Sequence, residues 1–411
     1  MTGRIDRIPL AEVDNLSQLF CARVRRSPEA IGFRHYDQAS EKWIDISWSA
    51  MADEVARWQA ALKAEALSPG DRVALMIGNG PSWVKYEQGA IGLGYIVVPM
   101  FTNDRPENVA YIIEDAEIRV LLLESAEQWR ALKDHCRGLT SLQRIICLEK
   151  IEDNEEPRLV HIDDWLPDAT QRYPLAELRV HGSSLATIVY TSGTTGKPKG
   201  VMLSHHNIAW NADAALDCVT IYSDDQFLSF LPLSHMFERT VGYYLVMMSG
   251  STINYARSIE KLAEDLTIIR PTILVTVPRI FERVYNKIKI QLEAKPAFAR
   301  TLFHTTVDIG WARFRYLQGK TRWQPKLLLW PLLYFLVGRK IMAKLGGHMR
   351  LAVSGGAPLA MDIARTFIGL GLTILQGYGL TESSPIISAN RLEDNEPDSV
   401  GEALRLSLIH I

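Results

Sequence analysis

The sequence contains little cysteine, little net charge and no long apolar run. Only four cysteines occur in 411 residues, with no CxxC pair and no adjacent histidine cluster. This scatter excludes a disulfide framework and a cysteine-based zinc site, and it favours a reducing, cytoplasmic compartment. The formal net charge of -2 provides no bulk attraction for polyanions, so nucleic acid is not an expected partner.

A bilayer-spanning segment is also missing from the sequence. The N-terminal residues mix charged and polar side chains and lack the apolar core of a signal peptide. The nearest candidate, Leu327–Val337, falls short of the ~18 apolar residues that a spanning helix needs. Lys326 precedes this run, and Arg339 and Lys340 follow it. The run therefore suits either a buried helix or a segment in shallow contact with the inner face of a membrane.

Apolar and β-branched residues are plentiful and are arranged for an α/β fold. Short β-branched runs alternate with longer helical patterns, which predicts layered α/β subdomains. The predicted strands include Leu185–Tyr190 and Thr252–Tyr255, and Ser47 is expected to cap a helix that runs through Met51. Four loops begin where predicted strands end, at Tyr190, Leu231, Ser354 and Gln376. Because ligands in open α/β sheets bind beyond the carboxyl ends of strands, we expect functional residues in these loops.

The first loop, Tyr190–Gly200, has the sequence YTSGTTGKPKG. Gly193, Gly196 and Gly200 permit positive φ angles and close backbone approach, so successive N–H groups can form an anion-binding nest. Six side chains add hydroxyl or ammonium donors: Thr191, Ser192, Thr194, Thr195, Lys197 and Lys199. Two residues separate the first two glycines and a proline follows the first lysine, so this is not a Walker-type loop. The loop is instead suited to neutralising a polyphosphate leaving group.

The loop Gln376–Glu382, with the sequence QGYGLTE, offers an aromatic ring, a hydroxyl and a carboxylate. Tyr378 lies between two glycines and can present a flat face to adenine. Thr381 offers its hydroxyl to a phosphate. Glu382 is a hard oxygen ligand, which suits Mg²⁺ shared with phosphate oxygens.

A third loop, Ser354–Pro358, has the sequence SGGAP and follows a predicted strand. Its small residues would let a purine pack on the backbone. The positions expected to approach the nucleotide in these two loops, besides Tyr378 and Thr381, are Gly355, Gly356, Ala357, Gln376, Gly377 and Gly379.

These strings together resemble the adenylate-forming, or AMP-binding, superfamily over nearly the whole chain. Tyr190–Gly200 is similar to its signature loop, and SGGAP and QGYGLTE occur in the same order and spacing. Three further strings resemble the long-chain fatty acid–CoA ligase branch. They are LPLSHMFER at 231–239, VPRIFERVY at 277–285 and NRLEDNEPDSVG at 390–401.

The resemblance implies a large adenylation domain over residues 1–405, built from layered α/β subdomains. It implies that ATP activates a long-chain fatty acid to an acyl-adenylate, which reacts with coenzyme A and releases AMP. The expected cofactors and co-substrates are ATP, Mg²⁺ and coenzyme A. The residues expected to act in catalysis are Thr191, Lys199, His235 and Glu382, with Glu382 also the metal ligand. His235 matches a family position that faces the acyl carboxylate, whereas His205 and His206 are expected to be structural residues at the start of a helix.

The family's small C-terminal lid domain, hinge, later ribose-binding aspartate and catalytic lysine have no counterpart here. Leu406–Ile411 resembles a translated sequencing adapter, so we expect a non-native tail on a truncated chain with impaired activity. An ordinary strand at a natural terminus is the alternative. Two other functions stay open: a noncatalytic nucleotide- or acyl-binding module, and a fatty acyl-AMP ligase that loads a carrier protein. The sequence specifies no oligomeric state.

Overall fold

A computed structural model describes residues 3–152, 155–191 and 196–405. The chain divides into two compact units. The N-terminal unit comprises Asp6–Asp213 and Pro232–Gly250. The C-terminal unit comprises Met1–Ile5, Ala214–Leu231 and Ser251–Ile411. The expected non-native tail, 406–411, lies outside the described residues.

The N-terminal unit is built on a mainly parallel sheet. The strands of this unit are β1 (Ile31–Asp37), β2 (Lys42–Ser47), β3 (Arg72–Met76), β4 (Ile96–Pro99), β5 (Ile118–Leu123), β6 (Arg144–Cys147), β7 (Leu159–His161), β8 (Leu185–Thr191) and β9 (Lys199–Ser204), and the sheet contains those from β3 to β9. In the described residues, the sheet runs in the order β7-β6-β5-β3-β4-β8-β9. The β8–β9 pair is antiparallel and the other neighbours are parallel, while β1 and β2 form an antiparallel hairpin.

The C-terminal unit contains a second mixed sheet. Its strands are β10 (Gln226–Ser229), β11 (Thr252–Tyr255), β12 (Ile273–Thr276), β13 (Leu351–Ser354), β14 (Thr373–Gly379), β15 (Ile386–Ala389) and β16 (Glu402–Ala403). These strands lie in the order β16-β15-β14-β13-β12-β10-β11. The strands from β11 to β14 in this order are parallel, and β15 and β16 add an antiparallel edge.

Helices connect and cover the strands within each unit. In chain order they are α1 (Leu16–Arg26), α2 (Trp48–Ala64), α3 (Pro81–Gly92), α4 (Pro106–Asp115), α5 (Ala126–Leu132), α6 (Ile162–Trp165), α7 (His205–Ala215), α8 (Leu245–Ser249), α9 (Leu262–Ile269), α10 (Pro278–Glu293), α11 (Ala297–Leu317), α12 (Trp330–Leu333), α13 (Arg339–Lys344) and α14 (Met361–Gly369). Short 3-10 segments lie at Leu10–Glu12, Pro325–Leu329 and Thr381–Ser383, and π-helical segments at Glu238–Tyr244 and Tyr334–Gly338.

Local sequence explains where several helices begin. Ser47 accepts a hydrogen bond from the Ala50 N–H at 3.2 Å and caps α2, as its sequence predicts. Ser125 and Gln128 form a capping box at the start of α5. Pro81 opens α3, where its missing N–H leaves no helical hydrogen bond unmade.

The central strands of the N-terminal sheet are buried on both faces, which explains their continuous apolar sequence. The surrounding core includes Val98, Ile112, Leu121, Trp129 and Ile145. The predicted α/β class is confirmed, with the predicted strands at Leu185–Tyr190 and Thr252–Tyr255 present as β8 and β11. The sequence did not indicate the β1–β2 hairpin, nor β9 beside β8.

Candidate functional site

The predicted phosphate loop connects two paired strands of the N-terminal unit. Thr191 lies opposite Lys199, and Tyr190 lies opposite Gly200, in the antiparallel β8–β9 ladder. Both ends of the loop are therefore held by backbone pairing, and β8 with β9 is called the phosphate hairpin below. Four of the predicted loop residues lie outside the described residues: Ser192, Gly193, Thr194 and Thr195. Gly196 has a φ of 95°, the left-handed region that favours glycine.

The two lysines of the loop lie in different surroundings. Lys197 places its Nζ 5.1 Å from the centroid of the Tyr111 ring, a cation–π contact. Lys199 begins β9, is exposed, and has no hydrogen-bonded or ionic side-chain partner among the described residues. The Lys199 ammonium is thus the freer of the two to meet an anionic ligand.

Two phenols that donate to the same carboxylate fix the base of the loop. Tyr190 donates to Asp115 Oδ2 at 2.5 Å, and Tyr111 donates to Asp115 Oδ1 at 3.2 Å. Burial, reinforced by the Asp115 carboxylate, raises the pKa of Tyr190, so the phenol stays neutral. A Cβ atom at Gly200 would lie 2.7 Å from the Ile188 side chain, so the hairpin needs glycine there.

A buried ion pair behind β8 was not indicated by the sequence. Arg239 Nε donates to Glu87 Oε1 at 2.6 Å, and Arg239 Nη1 donates to Thr187 Oγ1 at 3.0 Å. Tyr244 donates to the same Glu87 oxygen at 2.9 Å. Burial opposes the charge on Arg239, but the adjacent Glu87 carboxylate outweighs it and keeps the arginine's pKa above its usual value. The pair ties α3 and the π-helical segment to the strand that enters the phosphate loop.

His235 is exposed at the surface of the same unit, between β10 and the π-helical segment. Its Nδ1 accepts a hydrogen bond from the Phe237 N–H at 3.2 Å, so the neutral ring carries its proton on Nε2. Protein atoms around the ring remove part of its hydration and lower its pKa, which favours that neutral form. His235 therefore offers an N–H donor rather than a fixed positive charge.

The other two histidines noted in the sequence begin α7, as predicted. His205 is buried, and burial lowers its pKa to about 4. His206 is exposed. His205 thus has the surroundings of a packed structural residue.

In the C-terminal unit, the SGGAP loop follows β13. Gly355 is buried and donates its N–H to the Thr276 carbonyl at 3.2 Å. Gly356 and Ala357 are exposed, and Gly356 has a φ of 79°. The two exposed positions are the ones at which a flat ring can approach the backbone.

Gln376 uses both ends of its side-chain amide inside the unit. Its Oε1 accepts from the Leu359 N–H at 2.9 Å, and its Nε2 donates to the Pro397 carbonyl. The side chain therefore holds the end of the SGGAP loop and the segment around Pro397. The Gln376 side chain thus positions two neighbouring segments of the C-terminal unit.

Gly377, Tyr378 and Gly379 follow Gln376. The Tyr378 ring is exposed, and the backbone at both glycines is tightly packed. Tyr378 is 46% exposed and lies opposite Ser388 in the β14–β15 ladder. A Cβ atom at Gly379 would lie 2.1 Å from the Pro385 carbonyl oxygen, and one at Gly377 would lie 3.1 Å from the Ser388 carbonyl oxygen. The glycines thus let β15 approach closely while the Tyr378 ring faces outward.

Thr381 and Glu382 lie in the 3-10 turn that follows β14. Glu382 is exposed and has no hydrogen-bonded or ionic partner among the described residues. Those residues contain no cluster of three or more histidine, cysteine or acidic side chains suited to a metal ion. Glu382 therefore fits Mg²⁺ only in the form predicted for it, as one carboxylate that acts together with phosphate oxygens and water.

A cavity of about 680 Å³ lies elsewhere in the C-terminal unit, between α10, α11 and α14. Its lining mixes apolar side chains such as Phe303 and Trp311 with cations such as Lys289 and Arg365. Of the predicted site residues that the structure describes, none lines this cavity.

Comparisons with known proteins agree with the motifs. A family model described as "AMP-binding enzyme" matches residues 20–411. Long-chain-fatty-acid–CoA ligase FadD15 of Mycobacterium tuberculosis is 28% identical over 402 residues, which cover 96% of this chain and 65% of that protein. Human long-chain-fatty-acid–CoA ligase 1 is 28% identical over 95% of this chain and 56% of its own length. The chain thus spans less than two thirds of these relatives.

Solved structures show the same fold at lower sequence identity. A Mycobacterium tuberculosis fatty acyl CoA synthetase superposes with a TM-score of 0.70 at 19% identity, covering 95% of this chain and 65% of that one. The N-terminal domain of FACL13 from the same organism superposes with a TM-score of 0.67 at 20% identity. It covers 95% of this chain and 83% of the FACL13 domain.

Proposed function

This chain belongs to the AMP-binding enzyme family, and on that premise we propose that it activates a long-chain fatty acid with ATP. The fatty carboxylate attacks the α-phosphorus of ATP, and the bond to pyrophosphate breaks to give an acyl-adenylate. The thiol of coenzyme A then loses its proton and attacks the acyl carbonyl, which releases AMP and leaves acyl-CoA. This is a ligase reaction, and no protein nucleophile takes part in either step.

The observation that carries the proposal is the phosphate hairpin, with the exposed Lys199 opposite Thr191. The attacking carboxylate and ATP are both anionic, so catalysis depends on neutralising charge and fixing an in-line geometry. Lys199 would neutralise the departing pyrophosphate, and the Thr191 hydroxyl would donate a hydrogen bond to it. The buried Arg239–Glu87 pair would keep β8, and with it the loop, in one position.

The loops of the C-terminal unit would bind the nucleoside and the metal. The exposed Tyr378 ring would stack on adenine, with the backbone at Gly356 and Ala357 open to the same ring system. Thr381 would donate to a phosphate oxygen, and Glu382 would be the protein ligand of Mg²⁺. When bound, Mg²⁺ supplies positive charge against the phosphate oxygens.

His235 would orient the fatty carboxylate. Its neutral ring has Nδ1 engaged by the Phe237 N–H, which leaves the Nε2–H as the donor. A donor of this kind holds a carboxylate by one oxygen without protonating it, so the other oxygen remains nucleophilic. The long-chain preference is supported by the names of the relatives that match the chain at 28% identity.

Two assays test the proposal. Incorporation of labelled pyrophosphate into ATP, measured with palmitate, octanoate, acetate and benzoate, reports the first half-reaction. Thioester formation with coenzyme A reports the second. We expect exchange that is strongest with palmitate, and the Glu382→Ala variant provides the background from contaminating enzymes.

The other two hypotheses predict different outcomes. Nucleotide binding without exchange for any acid would support a noncatalytic binding module. Exchange with palmitate, together with acylation of a carrier protein but not of coenzyme A, would support a fatty acyl-AMP ligase. Exchange that is strongest with benzoate or acetate would overturn the long-chain assignment.

A further inference from the structure

The apolar run noted in the sequence lies on helical turns with two different faces. The turns extend from Pro325 to Lys344 through 3-10, α and π segments. One face packs inward, with Leu327, Trp330 and Leu333 buried. Trp330 and Leu333 form a small core cluster with Ile309 of α11. This contact anchors the turns to the C-terminal unit.

The opposite face carries large apolar side chains in solvent. We call this set the apolar ridge: Leu328 (72% exposed), Leu329 (51%), Leu332 (58%), Phe335 (58%) and Leu336 (39%). The spacing of three and four residues places them on one side of the helical turns. Full burial of a side chain of this size contributes ~1.5–3 kcal/mol of stabilisation, which each exposed member of the ridge lacks. A contiguous apolar surface of this kind marks a contact with a partner or a membrane.

Along the chain, the charges on both sides of the ridge have a single sign, although Arg315 and Lys320 are paired with Asp394 and Glu396 from a later segment. From Ile309 to Met361 the sequence contains no aspartate or glutamate and nine lysine or arginine residues. Lys326 and Lys340, at the two ends of the ridge, are exposed and have no ionic partner in the described residues. Arg339 packs its guanidinium 5.6 Å from the Phe335 ring centroid, which places a cation directly beside the ridge.

We propose that the apolar ridge rests in the surface of a membrane containing anionic phospholipid. The leucine and phenylalanine side chains enter the boundary between head groups and acyl chains, and the flanking cations meet the lipid phosphates. Trp323, 51% exposed just before the ridge, suits the interfacial layer that tryptophan prefers. Within the described residues, no helix has both the length and the apolar character to cross a bilayer.

A second copy of the chain fits this surface less well. We call Lys326, Arg339 and Lys340, which flank the ridge, the cationic rim. Symmetric pairing of two ridges brings the cationic rim of one copy close to that of the other, because a two-fold interface uses the same surface on both subunits. Like charges in contact oppose association, whereas an anionic lipid surface attracts every cation of the rim. The inference does not depend on the proposed ligase reaction.

Vesicle sedimentation tests the proposal with the whole chain. We expect stronger binding to vesicles of phosphatidylcholine with phosphatidylglycerol than to phosphatidylcholine alone, and weaker binding as salt is raised. The double variant Leu332→Ser with Phe335→Ser should lower the partition coefficient at least ~10-fold. The double variant Lys326→Gln with Lys340→Gln should lower it ~25-fold on anionic vesicles, about 5-fold for each lysine.

A matched control uses Ile44→Ser, which removes an apolar side chain that is 37% exposed on β2 of the N-terminal unit. This variant should bind as the wild type does. Circular dichroism and thermal unfolding of every variant establish that the fold is retained. Equal loss in the control and ridge variants, or equal binding to neutral and anionic vesicles, would overturn the proposal. Absence of vesicle binding, with a dimer that dissociates in the ridge variant, would identify a second copy as the occupant instead.

Discussion

Arg239 and Glu87 form a salt bridge in which neither side chain is exposed to solvent. Removing two charges from water costs several kcal/mol for each ion, so such a pair persists only where further hydrogen bonds complete it. Thr187 and Tyr244 supply such bonds here, although the second carboxylate oxygen of Glu87, Oε2, has no hydrogen-bond partner among the described residues. Because Thr187 lies on β8, the pair links the interior of the N-terminal unit to the strand that leads into the phosphate loop.

Removing one partner of this pair should strongly destabilise the N-terminal unit. Arg239→Ala leaves the Glu87 carboxylate buried without its countercharge, so we expect the free energy of unfolding to fall by ~3–5 kcal/mol. Urea denaturation followed by tryptophan fluorescence measures this change. Arg25→Ala is the control, because Arg25 pairs with Glu177 at the surface, with side chains 62% and 35% exposed. The control should change stability by less than ~1 kcal/mol, and an equally small effect of Arg239→Ala would contradict the prediction.

Lys199→Ala should impair the use of ATP more than the binding of fatty acid. The lysine is exposed at the end of the phosphate hairpin, so its loss removes a charge-assisted contact to phosphate and leaves the ladder intact. A contact of that kind contributes ~1.5–3 kcal/mol, which corresponds to a ~10- to 100-fold lower kcat/KM for ATP. Lys133→Ala, at an exposed lysine that follows α5 in the same unit, is the control. Equal losses in ATP use and in fatty-acid binding would count against the phosphate role.

Glu382→Ala should abolish Mg²⁺-dependent adenylation while the fold is retained. Glu382 is exposed and has no partner among the described residues, so its removal leaves no buried group unsatisfied. Pyrophosphate release measured against Mg²⁺ concentration should fall by at least ~100-fold at saturation, a loss of ~2.7 kcal/mol in transition-state stabilisation. Glu260→Gln removes another exposed carboxylate of the C-terminal unit and should leave the Mg²⁺ curve unchanged. Near-normal activity of Glu382→Ala would refute the metal role.

Local sequence predicted the parts of the fold that depend on local chemistry. The apolar, β-branched run Leu185–Tyr190 forms β8, and Ser47 caps α2, because strand propensity and capping act over a few residues. β9 was missed since its sequence, KGVMLS, contains a lysine, a glycine and a serine and is half exposed. Pairing with β8 makes it a strand, and such pairing is a tertiary effect.

In the candidate site, too, local sequence identified some residues, and those that depend on tertiary pairing were missed. The motifs indicated His235, Tyr378 and Glu382, and all three are exposed. Tyr378 lies among the last residues of β14, and Glu382 lies in the 3-10 turn that follows it. Arg239 was not singled out although it lies in the same motif as His235. One sequence feature could have drawn attention to Arg239: it is a charged residue just before the apolar sequence VGYYLVMM. Its ionic partner, Glu87, is 152 positions away in the chain. No local pattern identifies a pair separated by that distance.

His205 should make the stability of the protein depend on pH. It is 2% exposed, and burial lowers its pKa to about 4, compared with ~6.5 in an unfolded chain. Above pH ~6.5 the ring is neutral in both states and contributes no pH dependence. As the pH falls below that value, the unfolded chain binds a proton that the folded chain does not. The free energy of unfolding therefore decreases, by ~2 kcal/mol at pH 5, and this loss levels off below about pH 4.

Denaturant unfolding at pH 7 and pH 5 measures this loss when wild type is compared with His205→Gln. The substitution can shift stability at both pH values, so the informative quantity is the difference between the two pH values for each protein. We expect that difference to be ~2 kcal/mol smaller in His205→Gln, because the variant has no ring to protonate on unfolding. The adjacent His206 is exposed and provides the matched control, since His206→Gln should retain the wild-type difference. If both variants keep that difference, the burial of His205 does not control the acid sensitivity of the fold.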